Sequence, residues 1–93
     1  MDRVNETAAR YLNMWTAQYN AVNDRDIVKY AVTSAMHDIE CWCEGIDPNG
    51  AMESADVQDW TVEELRQLYS HLAPSASFFG YKARVGLLTE LDQ

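Results

Sequence analysis

Trp60-Thr61-Val62-Glu63-Glu64-Leu65 spells out the start of a helix. Thr61 can accept a hydrogen bond from the amide three residues on, while Glu64 reaches back to the Thr61 amide, a reciprocal capping box. Trp60, just before the cap, can pack on Leu65 and close a hydrophobic staple. Glu63 and Glu64 also suit the positive end of the helix dipole. From this start Val62, Leu65, Leu68, Tyr69 and Leu72 recur at three- and four-residue spacing and form one apolar face. Pro74 is expected to prevent continuation, because proline lacks an N–H and its ring crowds the preceding turn.

Upstream, Gly45-Ile46-Asp47-Pro48-Asn49-Gly50 is the clearest turn in the chain. It should follow a second helix that starts with Asn23 or Asp24 as N-cap and runs to about Glu44, with Gly45 as a left-handed stop. Val28, Ala31, Val32, Ala35, Ile39 and Trp42 make its core stripe, broadened by Ile27, Met36 and Cys43. A first helix is expected over about Arg3 to Ala21, on Val4, Ala8, Leu12, Trp15, Tyr19 and Val22, with Tyr11 widening the face. Residues 51–59 read as a polar, acidic loop with a helical turn around Met52 to Val57.

Downstream, Ser75 or Ser77 can cap a fourth helix reaching about Leu91. Phe78, Tyr81, Val85 and Leu88 form one of its stripes, and Phe79, Ala83, Leu87 and Leu91 another. Ala76, Gly80, Ala83 and Leu87 would share a small-residue face open to close helix approach. The expectation is a single acidic domain over residues 1–93, all-α, a small bundle or irregular array of three to four helices.

The charge is unevenly spread. Tyr30 to Leu65 holds nine carboxylates and no lysine or arginine, so it carries essentially all of the net charge of −8. Such a balance argues against direct binding to nucleic acid, which needs clustered cations, and against an anionic membrane surface. No run of apolar residues reaches the length of a membrane span. The polar start, Met1-Asp2-Arg3, shows no signal peptide. Cys41 and Cys43, two apart on one helix, point about 200° from each other and cannot bond together. Unpaired thiols favour a reducing compartment, so the expected location is cytoplasmic.

Catalytic signatures are lacking. The serines sit in no Gly-x-Ser-x-Gly elbow, and no glycine-rich phosphate loop occurs. Asp47-Pro48-Asn49-Gly50 fails as a calcium loop, since Met52 and Gln58 stand where glycine and glutamate are required. His37 and Cys41 are four apart and could ligate a metal with Glu44, but they fall short of a full ligand set. The chain is therefore expected to be neither an enzyme nor a metal or cofactor carrier.

What is left is electrostatic. Glu40, Glu44, Asp47, Glu53, Asp56 and Asp59 crowd the end of helix two and the loop after it, with Trp42 and Trp60 among them. Acids in the last turns of a helix oppose its dipole, and aromatics within a charged rim are how interface hot spots are built. These eight residues are the expected partner-binding set. The partner would be a basic surface of another protein, of nucleic-acid-handling or defence type, with the carboxylates standing where phosphates would. Size and charge, by analogy alone, resemble those of phage-encoded inhibitors and immunity proteins. Acidity that merely solubilises is the plain alternative. A further alternative is a homo-oligomer through helix four, with a small ligand between subunits near Tyr11, Arg25, Lys29 and Tyr30.

Overall fold

The computed structural model describes residues 2–88. It contains three α-helices: α1 (Arg3–Ala21), α2 (Arg25–Cys43) and α3 (Val62–Phe78). A single 3₁₀ turn follows at Val85–Leu87, and the described residues contain no strand. Asp2 caps α1 by accepting from the Val4 amide, and Asp24 caps α2 by accepting from the Asp26 amide. The α3 capping box forms in both directions, Glu64 N–H to Thr61 Oγ1 at 3.1 Å and Thr61 N–H to Glu64 Oε1 at 3.0 Å.

Arg3 at the start of α1 meets Glu64 at the start of α3, and Tyr19 near the end of α1 meets Phe78 and Phe79 at the end of α3. The helices therefore run up, down, up. Trp15, Val28, Val32, Met36, Ile39, Trp42, Leu65, Leu68, Tyr69 and Leu72 fill the space between them. Each large apolar side chain so buried contributes roughly 1.5–3 kcal/mol. Within the expected stripes, Ile27 and Val62 lie outside the core and are half exposed.

Three chain reversals use one device. At the end of α2, Gly45 N–H bonds to the Trp42 carbonyl and Ile46 N–H to that of Cys41, with Gly45 at φ 79°. At the end of α3, Gly80 N–H bonds to Ser77 and Tyr81 N–H to Ala76, with Gly80 at φ 97°. The loop repeats the pattern around Asp56, at φ 60°: Asp56 N–H to Glu53 and Val57 N–H to Met52. Each is a Schellman motif, whose left-handed residue turns the last carbonyls inward.

The expected fourth helix is corrected. Pro74 does not stop α3, which continues through it to Phe78. A proline inside a helix costs about 3 kcal/mol, and the burial of Leu72, Ala73 and Ala76 on the same stretch offsets it. The terminator is Gly80, whose positive φ ends the helix just where a fourth was to pass. Residues 81–84 have no regular secondary structure, with Tyr81 and then Leu87 turned into the core, while Val85 and Phe78 stay exposed. Ala76, Gly80, Ala83 and Leu87 thus share no helical face, and Leu91 lies outside the described residues.

Candidate functional site

At the end of α2 the acids are used by the fold itself. Arg84, from the segment after α3, bridges Glu40 (Nη1 to Oε1, 3.5 Å) and Glu44 (Nη2 to Oε2, 3.2 Å). Helix α2 has no base in its last turn, so Arg84 supplies across the fold the positive charge its C-terminus lacks. Glu40 is buried, as is Tyr81 beside it. The Tyr81 and Tyr69 hydroxyls hydrogen-bond, and the Tyr69 hydroxyl accepts from the Arg84 amide at 2.8 Å. Burial, then the bond to Tyr69, then Glu40 push the Tyr81 phenol far above its ordinary range.

Asp47 is a loop anchor. Its Oδ1 accepts from the Trp42 indole N–H at 3.1 Å and the Ala51 amide at 3.0 Å, and its Oδ2 from the Met52 amide at 3.2 Å. Trp42 is buried, 2 % exposed. Arg3 forks onto Glu64 (Nη2 to Oε1, 2.7 Å; Nε to Oε2, 2.9 Å), reaches Asp59 at 3.2 Å, and lies over the half-buried Trp60 ring at 5.4 Å. Arg3, with the Thr61 amide, holds the Glu64 carboxyl down at about 2.

Of the eight expected partner-binding residues, Glu40 and Trp42 are therefore inside the molecule. Glu44, Asp47 and Asp59 have internal partners, and Trp60 is covered on one side by Arg3. Glu53 and Asp56 are exposed, and their carboxylates have no hydrogen-bond or ion-pair partner among the described residues, as is also true of Glu63. Arg3 and Arg84 escaped the sequence reading. The available signal was the pair of glutamates at the end of α2: acids tolerated there require a cation from elsewhere in the chain.

A groove of about 590 Å³ opens between α1, α2 and the loop. From α1 come Thr7, Arg10, Tyr11 and Met14; from α2, Ala35, Asp38 and Trp42. The loop adds Ala51, Ser54, Ala55 and Asp56. Its floor is apolar, and its size is that of ligand pockets generally. Asn49 Nδ2 donates to Asp38 and holds that carboxylate on the rim. Burial, reinforced by Asp38, pushes the Tyr11 phenol up to about 12. Arg25, Lys29 and Tyr30 take no part: Arg25 stacks on Tyr19 at 3.7 Å, Lys29 lies across Gly80, and Tyr30 is exposed.

His37 Nε2 stands 3.7 Å from Cys41 Sγ, while Glu44 is engaged by Arg84. Among the described residues, no group of three or more His, Cys, Asp or Glu side chains is arranged to hold a metal ion. Burial and the neighbouring acids raise the Cys41 thiol, and burial pushes Cys43 up to about 11. Both thiols are thus protonated at neutral pH and weak as nucleophiles. No described helix is long and apolar enough to cross a membrane. Compared with known proteins, the chain matches no family model, no curated protein and no solved structure.

Proposed function

We propose that this chain is a binding protein, not an enzyme, that presents carboxylates to a basic surface of another protein. The observation that carries the reading is the unspent charge of the loop. Glu53 and Asp56 are exposed and unpartnered among the described residues, with Asp59 largely exposed beside them and Glu63 just beyond. The chain from Tyr30 to Leu65 holds no lysine or arginine, and of these four acids Asp59 alone has an ion-pair partner among the described residues, Arg3. Their summed field steers a cationic partner and speeds its association. A protein that handles nucleic acid is the partner class this suits, since its phosphate sites accept carboxylates in the same positions.

The test is competition. The protein is titrated against basic nucleic-acid-binding proteins held on a labelled DNA duplex, and displacement is followed by anisotropy at rising salt. Displacement that weakens with salt, and weakens at least about tenfold in the combined variant Glu53→Gln, Asp56→Asn, Glu63→Gln, is the expected result. Salt-independent binding, or full retention in that variant, overturns the reading. Glu40, Glu44 and Asp47 are left out of the variant because each holds the fold.

A further inference from the structure

The molecule contains one groove already filled by its own chain and a second with the same ingredients left open. In the first, residues 81–88 lie along α2 and α3. An aromatic anchor, Tyr81, is buried against Tyr69 with ring centroids 6.2 Å apart, and an arginine three residues later pairs with Glu40 of α2 and Glu44 at its C-cap. The second is the α1–α2 groove. Its lining includes Tyr11, Met14 and the edge of the buried Trp42, together with the carboxylates Asp38 and Asp56. Met14 is 47 % exposed although it lines an apolar depression. No described residue fills that space.

We infer that the α1–α2 groove receives an apolar side chain from an arginine-bearing segment of the partner protein, with Asp38 and Asp56 pairing the cations that flank it. The inference rests on reading the loop acids as a docking surface. Charge decides the occupant. The carboxylate rim repels an acidic segment and leaves a purely apolar one with nothing to gain from Asp38, which Asn49 already holds in position. Arg10, the cation among the lining residues, is tied to Thr7 Oγ1 at 2.9 Å. It leaves the groove with a net negative lining. Thr7 to Met14 is two turns of α1, about 10 Å, long enough for a helical segment that sets apolar side chains at i, i+3 or i+4, and i+7 to bring one of them into the groove. Tyr, Trp and Met are the residues that make such a floor adhesive.

Two labelled peptides of about twelve residues test this, sharing one leucine stripe at those spacings. One carries arginines at the remaining positions, the other glutamates. The arginine peptide should bind at least about tenfold tighter than the glutamate one. It should also shift the NMR signals of the Met14 methyl and the Trp42 indole. Met14→Ala, at a half-exposed position, should weaken it about tenfold while the variant remains folded by circular dichroism. If the arginine peptide binds in a salt-dependent way but ignores Met14→Ala and moves neither signal, the groove is overturned while the acidic docking surface stands. If both peptides bind equally and Met14→Ala weakens both, the acidic reading fails and this inference with it. No binding of the arginine peptide at low salt overturns the inference. A concentration-dependent dimer abolished by Met14→Ala overturns it in favour of a second copy of the chain.

Discussion

Glu64 joins two jobs in one carboxylate. It completes the cap of α3 through Thr61 and receives the fork of Arg3 from the start of α1. Its folded pKa, about 2, lies below the ordinary value of 4.5. Deprotonated Glu64 therefore favours the folded state above the unfolded value, and that contribution is lost as pH falls from about 4.5 towards 2. Urea titrations across this range should show the loss in the natural protein and a flatter profile in Glu64→Gln. Asp56 shows a different economy of means. It takes the left-handed conformation that α2 and α3 give to glycine, and aspartate is among the few side chains that tolerate it. The gain is a carboxylate at the tip of a turn, where glycine would offer none.

At the scale of the element, the helix starts were legible and one helix end was not. Side chains that cap sit next to the amides they serve, so the Thr61–Glu64 box could be read from spacing alone and the cap of α2 narrowed to Asn23 or Asp24, of which the structure uses Asp24. The passage of α3 through Pro74 depends on what Leu72, Ala73 and Ala76 bury, which spacing does not disclose. Gly80, placed by the sequence on a small-residue face of the expected fourth helix, instead ends α3, at a φ of 97° that no spacing of apolar residues discloses. The structure makes the two last glycines unequal. A Cβ at Gly80 would stand 3.2 Å from Lys29 Cε, on a backbone at φ 97°, whereas at Gly86 it meets nothing. Gly80→Ala should cost about 1–2 kcal/mol of unfolding free energy in urea, and Gly86→Ala less than about 0.5.

For the whole molecule, the segment 81–88 decides how the acidic corner is to be understood. The sequence grouped Glu40, Glu44 and Asp47 with Glu53, Asp56 and Asp59, because all follow one another along the chain. Folding separates them: Glu40 is buried against Arg84, Glu44 pairs with Arg84 at the surface and Asp47 holds the Trp42 indole and the loop amides, while Asp59 reaches Arg3 and Glu53 and Asp56 stay exposed without a partner among the described residues. For Glu40 and Glu44 that division rests on Arg84, forty or more residues away and beyond the reach of any local pattern, whereas the contacts of Asp47 are local. Removing Arg84 leaves Glu40 buried without its cation, a costlier state than losing both. Arg84→Ala should accordingly be less stable in urea than the double variant Arg84→Ala, Glu40→Gln, and a double-mutant cycle measures the coupling. The loop between α2 and α3 has a further consequence. Asp47 holds the amides at its entry and the turn at Asp56 closes its exit. Immobilising a loose loop would tax any complex it formed; with both ends of this one held by its own hydrogen bonds, binding of the proposed partner would have less ordering entropy to overcome.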